Sequence, residues 1–301
     1  MASYDYMHPC KTITGGVNFM NEIHTKDIRA TYISMIRKLQ SYVDGDLSIT
    51  HIRCTREPYA NLYSYKVHKI CNEFKIKYNS VMCNPDADIP TYIDVMARLE
   101  EANKSDCDGI LFDTPFKQNQ YIRNITSKIS SDKDMECFSD INYGKYLLGK
   151  PTRITPCITA SINDLIYLHG IGNEYKRILI ISDISGDNYG ITMSNTFNSS
   201  VISVVSPRDA DFLSTHLYEY DVIISLLYDS KIFITKDTIT VKPDINQLIL
   251  DYGWCSDTKD STIDVKIFNK DKIIYYDLAN DLMEMYIFNA IHNMLNRIVN
   301  D

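Results

Sequence analysis

The chain has 301 residues, 45% of them hydrophobic and 23% charged, an ordinary globular composition at a length suited to two α/β domains or one large one. Its net charge of −8 argues against a protein whose main work is neutralising nucleic-acid phosphates, and no apolar run approaches the ~20 residues of a membrane-spanning helix. Met1–Gly16 carries Asp5, His8 and Lys11 without a basic n-region or an apolar h-region, so a cytoplasmic protein with neither nucleic acid nor membrane as partner is expected.

The predicted elements alternate along the chain. Lys26–Tyr42 places Ile28, Tyr32, Met35, Ile36 and Leu39 at helical spacing, Leu47–Arg53 reads as a strand, and Tyr59–Lys75 repeats Leu62, Val67, Ile70, Cys71 and Phe74 at the period of a packed helix. Lys77–Met82 suits a second strand. Asp88–Asn103, with Pro90 fit for a first helical turn, predicts a helix. Asp108–Phe112 then predicts a buried strand stopped by Asp113-Thr114-Pro115, and a strand ending in a polar turn is where α/β folds place their sites. The first part is therefore expected to hold βα units on a mostly parallel sheet.

Gly144–Pro156, with Gly149, Pro151 and Pro156, is the expected linker. Beyond it a helix over Thr159–Leu168 and strands over Arg177–Ser182, Val201–Val205, Val222–Leu227 and Leu248–Tyr252 give the cadence of a nucleotide-binding sheet. Asp277–Ile298 carries Leu278, Leu282, Met285, Phe288, Ile291, Leu295 and Ile298, the stripe of a long helix that must dock. The eight cysteines form no Cys-x-x-Cys pair and the seven histidines no His-x-x-x-His spacing, so no metal site is expected.

Read in order, these segments carry recognisable pieces. They are Pro58-Tyr-Ala-Asn-Leu-Tyr63 with its basic helix, Asp108-Gly-Ile-Leu-Phe-Asp-Thr-Pro115, Lys133-Asp134-Met-Glu136-Cys-Phe138, Ile141-Asn142-Tyr-Gly144, Leu148-Gly149, Pro156-Cys157-Ile-Thr159 and Ile249-Leu-Asp251-Tyr-Gly253. Together they resemble the bifunctional methylenetetrahydrofolate dehydrogenase/cyclohydrolase family over nearly the whole chain. The resemblance implies an α/β fold of two domains. Residues 1–148 would form a folate-type domain completed by a returning C-terminal helix at 277–301, and residues 149–276 a Rossmann-like domain for NAD or NADP. It also implies a homodimer and a folate-type substrate.

The same resemblance assigns site residues. The family's catalytic helix bears a Tyr and, four residues later, a Lys; spacing four puts both on one helical face. The flanking match makes Tyr63 that tyrosine and puts Val67 at the lysine position, which removes cyclohydrolase chemistry. A rival register uses Tyr65 and Lys69, which keep the interval. Asp113 stands where the family has a glutamine, so an amide donor becomes an acceptor. Glu136 replaces the aspartate that grips the pterin, and Pro156 and Cys157 also fall at substrate-binding positions. Cys137 replaces a glycine, where a side chain crowds a tight turn.

The cofactor loop is represented by Ser182–Thr192, in which Ser185, Gly186, Gly190 and Thr192 are the residues left to cradle a dinucleotide, while Asp183 and Asp187 bring negative charge towards a pyrophosphate. The last family motif, rich in Gly and Pro, is represented by Tyr275–Glu284, in which Asp277–Asp281, with Leu278 and Leu282, is expected to extend the terminal helix at its start. The expectation is a divergent family member whose catalysis has lapsed and which serves as a binding or structural protein. The alternatives are an NAD(P)-dependent methylenetetrahydrofolate dehydrogenase without cyclohydrolase activity, or a Rossmann-type binder of another small anion.

Overall fold

The computed structural model describes residues 25–84, 90–112, 124–150, 152–169, 176–182, 201–229, 234–235, 246–255, 262–268 and 270–300. They divide into two compact units, one made of residues 25–164 and 283–300, the other of residues 165–282. The expected α/β architecture is the one observed.

The first unit opens with helix α1 (Thr25–Gln40), strand β1 (Ser48–Arg53), helix α2 (Pro58–Glu73), strand β2 (Lys77–Met82), helix α3 (Tyr92–Lys104) and strand β3 (Gly109–Phe112). The three strands form a parallel sheet in the order β2-β1-β3, with Ile49 paired to Tyr78 on one side and to Gly109 on the other. β3, Gly-Ile-Leu-Phe, is buried at every position, and the central β1 is buried at its four inner positions although these include Thr50 and His51, whereas β2, at one edge, is exposed or half-buried throughout. Pro58 sits in the first turn of α2. Thr91 and Asp94 close a reciprocal capping box on α3.

Helix α4 (Asp140–Leu147) occupies the start of the segment expected as a linker. Ser139 caps it by accepting from the Asn142 amide at 3.2 Å, and Gly149, in the left-handed region at φ +60°, follows its end. Helix α5 (Cys157–Leu168) comes next.

The second unit is built on a five-stranded parallel sheet: β4 (Arg177–Ile181), β5 (Val201–Val205), β6 (Val222–Ser225), β8 (Gln247–Asp251) and β10 (Ile273–Asp277), in the order β10-β8-β6-β4-β5. Helix α6 (Ala210–His216) follows β5, with Asp209 accepting from the Phe212 amide as its cap. A two-residue pair, β7 (Tyr228–Asp229) with β9 (Trp254–Cys255), lies outside that sheet. β4, β6 and β8 are buried on both faces, as their Ile/Leu/Val runs require. The strand order reverses between β4 and β6, which makes their carboxyl ends the topological switch point.

The C-terminal segment departs from the expected single helix over Asp277–Ile298. Ile273–Asp277 is strand β10, Leu278–Leu282 a π-helical turn, and the α-helix, α7, runs over Met283–Asn300. The Ile273-Ile274-Tyr275-Tyr276 run favours a strand and finds a partner in β8, with Tyr275 opposite Ile249. Asp277 then accepts from the Asn280 amide at 2.8 Å and turns the chain.

Helix α7 returns to the first unit. Its residues Met283 and Met285–Leu295 are all buried, the mark of a helix surrounded by protein rather than laid on a surface. Phe288 stacks on Tyr32 of α1 with centroids 5.4 Å apart, and the Asn289 side-chain amide donates to the Tyr32 hydroxyl at 3.0 Å and to Ser161 at 3.1 Å. No helix among the described residues is long and apolar enough to cross a membrane.

Candidate active site

The chemistry-bearing cluster of the first unit forms at the carboxyl end of its sheet. After β3 the chain comes back alongside it: the Ile110 amide donates to the Lys133 carbonyl at 2.7 Å, and Ile110 bridges Asp134 in parallel. The buried Asp134 carboxylate then pins the following turn, accepting from the amides of Glu136 and Phe138 at 3.1 Å, of Ser139 at 2.9 Å, and from the Asn142 side chain at 3.0 Å. Within this turn Cys137 is held at φ +64° with its thiol buried. A side chain thus occupies a left-handed position that favours glycine.

That turn delivers Glu136 to the end of β3. Oε2 accepts from the Phe112 amide at 2.9 Å, and Oε1 accepts from the Tyr286 hydroxyl of α7 at 2.7 Å and from the Tyr63 hydroxyl of α2 at 3.5 Å. Glu136 is 1% exposed, Tyr63 0% and Tyr286 1%. Burial pushes the Glu136 carboxyl up to about 8, against the lowering effect of the Tyr286 and Phe112 hydrogen bonds. Burial thus works in favour of the protonated acid. Burial also holds the Tyr286 and Cys157 groups well above their ordinary values.

Helix α2 sorts the two tyrosine registers. Tyr59, Ala60, Tyr63, Ser64, Val67, Ile70 and Cys71 form its buried face. Tyr63 meets His51 edge-on at 5.4 Å and Tyr286 at 6.1 Å, and Val67, one turn on, is fully buried. Tyr65 is 64% exposed and Lys69 is exposed as well. Tyr63 and Glu136 are thus brought together, while Tyr65 and Lys69 point away from them. Lys66 of the same helix pairs with Glu284 of α7 at 3.6 Å.

Pro156 is buried immediately before α5. The Cys157 thiol donates to the Met135 carbonyl at 3.5 Å, next to Glu136. Asn293 of α7 closes this side, donating to the Met135 carbonyl at 2.9 Å and to the Thr155 carbonyl at 2.8 Å. Asp113 lies outside the described residues, as do Ser185, Gly186, Gly190 and Thr192. Among the described residues no group of three or more His, Cys, Asp or Glu side chains could hold a metal ion.

In the second unit the carboxyl ends of β4, β6 and β8 present Ser182, Ser225 and Asp251, all buried. Asp251 accepts from the amides of Gly253 at 2.9 Å, Thr262 at 2.8 Å and Ile263 at 3.0 Å, and from the Thr262 hydroxyl at 2.8 Å. Burial still pushes it up to about 6. Its bonds fix loop backbone on both sides of residues 256–261, a structural clasp.

Sequence reasoning did not single out Tyr286, which supplies the shortest bond to Glu136. Its position falls off the stripe that marks the terminal helix, and it is identifiable only once α7 is seen to be buried on all sides. The fold and this site define a two-unit, parallel-sheet α/β protein with a buried carboxyl at the carboxyl end of its first sheet.

No protein-family profile matches the chain. It is 21% identical over 223 residues to the bifunctional protein FolD of Borreliella afzelii, covering 72% of each chain. Its fold matches the bifunctional FolD methylenetetrahydrofolate dehydrogenase/cyclohydrolase of Campylobacter jejuni with a TM-score of 0.71 at 21% identity, covering 92% of this chain and 96% of that one. The NAD-dependent 5,10-methylenetetrahydrofolate dehydrogenase of Saccharomyces cerevisiae matches with a TM-score of 0.71 at 14% identity, with the same coverage. The chain has the fold of these enzymes and resembles the FolD family in sequence.

Proposed function

We propose that this protein is a FolD relative in which both hydride transfer and ring hydrolysis have lapsed, and which acts as a binding or structural protein. The observation that carries the reading is the closure of the Glu136 carboxyl by its own unit. Both oxygens are engaged by the Phe112 amide and the Tyr286 hydroxyl, and burial favours the protonated acid. A carboxyl that grips a pterin through paired donors must be ionised and open to the ligand; here burial works against the first and the internal donors against the second.

Two further features support the reading. Val67 lies one turn beyond Tyr63, in the place of the lysine that a tyrosine–lysine relay requires, and it is fully buried. Residues 182–192 contain two aspartates and no lysine or arginine, a donor set that does not fit a dinucleotide pyrophosphate.

The test is turnover. Purified protein is given 5,10-methylenetetrahydrofolate with NAD or NADP while nicotinamide reduction is followed, and in parallel 5,10-methenyltetrahydrofolate while its hydrolysis is followed. Rates equal to those of buffer are expected in both. Turnover abolished by Tyr63→Phe would overturn the reading. The second reading, a dehydrogenase without cyclohydrolase activity, is favoured by Val67 alone, since that substitution removes the hydrolytic lysine and leaves hydride chemistry to the cofactor; it predicts nicotinamide reduction without hydrolysis. A homodimer is part of the proposal, and light scattering on the eluted protein tests it.

A further inference from the structure

At the carboxyl end of the first unit's sheet, beside the start of α2, two thiols face each other. The Sγ atoms of Cys54 and Cys83 are 3.6 Å apart. Each follows directly on a strand: Arg53 pairs with Met82 at the last rung of β1 and β2, and the Cys83 amide carries the ladder one step further by donating to the Arg53 carbonyl at 2.8 Å. Neighbouring strands run about 4.8 Å apart, and a disulfide needs Cα atoms about 4.4–6.8 Å apart. Strand pairing thus sets the two residues at a spacing compatible with a disulfide.

We propose that Cys54 and Cys83 form a reversible dithiol–disulfide couple that staples the start of α2 to the exit of β2. Cys54 is half-buried and Cys83 is 4% exposed, which fixes the order of events. The Cys54 thiolate attacks one sulfur of oxidised glutathione; the glutathione disulfide breaks, and one glutathione leaves and takes up a proton. Cys83 then loses its proton and attacks the Cys54 sulfur of the mixed disulfide, releasing the second glutathione. Two electrons and two protons pass from the cysteine pair to one oxidised glutathione, giving two reduced ones.

Cys71, Cys137 and Cys157 are buried and so remote from a soluble oxidant. The new bond would close a loop containing all of α2 and β2, Tyr63 included, and constrain the unfolded chain accordingly. The inference does not depend on whether the unit is catalytic.

The full-length protein is equilibrated with mixtures of reduced and oxidised glutathione, quenched by alkylation in the folded state and digested with trypsin without reduction. Cleavage after Arg53, Arg56, Lys77 and Arg98 leaves Cys54 and Cys83 in separate peptides, each with a single cysteine. The expected result is one linked peptide pair that rises with the oxidised fraction, disappears on reduction, and accompanies a rise in melting temperature of roughly 5 °C. In Cys83→Ser the mixed disulfide on Cys54 should accumulate. The proposal is overturned if the wild-type protein accumulates that adduct as the variant does, or if both cysteines remain alkylated at every ratio.

Discussion

The Tyr286 hydroxyl, from a helix at the C-terminus of the chain, donates a 2.7 Å hydrogen bond to Oε1 of Glu136, at the end of the first sheet. A residue 150 positions away in sequence thereby occupies the carboxyl that the family resemblance assigns to substrate.

Removing this donor leaves Oε1 with the longer Tyr63 contact. Tyr286→Phe should destabilise the protein by about 1–3 kcal/mol without disturbing the packing of α7, because the ring remains. Urea unfolding measures it, and a loss below a few tenths would mean that the bond contributes nothing.

The Glu136 carboxyl also gives stability a distinctive pH dependence. Its ordinary value is 4.5, and in the folded protein it is about 8. Between those values the folded protein holds a proton that the unfolded chain releases, so the contribution is fully present below the lower value and is lost as pH rises through the upper one. Glu136→Gln, which mimics the protonated acid, should remove this component. The stability difference between wild type and variant is expected to change by up to about 5 kcal/mol across the window, with wild type losing ground as pH rises.

Lys75, just past α2, is held at φ +56° and is exposed. The Ile76 amide donates to the Cys71 carbonyl at 2.8 Å, a helix ending in which glycine is the favoured residue at the Lys75 position. Lys75→Gly should stabilise by about 1 kcal/mol, since it relieves the left-handed strain and removes no packing. Chemical denaturation checks the sign.

In the second unit, a Cβ at Gly253 would lie 2.2 Å from Thr262 Oγ1 and 2.7 Å from Asp251 Oδ1. Gly253→Ala must therefore open the Asp251 clasp, at a cost of about 1–3 kcal/mol. Hydrogen exchange should show faster exchange at the amides of Thr262 and Ile263, and unchanged protection there would contradict the assignment.

The fold was legible wherever burial was uniform. β4, β6 and β8 announce themselves as unbroken apolar runs because both faces of a parallel sheet are covered, and the buried face of α2 follows from Val67, Ile70 and Cys71. β10 was not legible, because Leu278 and Leu282 continue the apolar spacing of α7 into a segment whose Ile-Ile-Tyr-Tyr run pairs instead with a strand distant in sequence.

The site was legible only in part. Motif order led to Tyr63 and Glu136, which the structure brings together. Spacing alone left Tyr63 and Tyr65 as rivals, because an interval of four says which residues share a face and not which face is buried. Tyr286 closes the site from across the chain, and Cys54 meets Cys83 through strand pairing; neither juxtaposition has a local signal.

The central claim, that Glu136 is closed by its own unit and no longer serves a folate, is tested most directly by melting the purified protein with and without a stable tetrahydrofolate analogue, alone and together with NAD or NADP. A ligand present at 100 times its dissociation constant stabilises by about 2.7 kcal/mol, a shift that is easily read. An unchanged melting temperature under all conditions is predicted. A rise with the analogue that is lost in Glu136→Gln would show the carboxyl open to substrate and contradict the account.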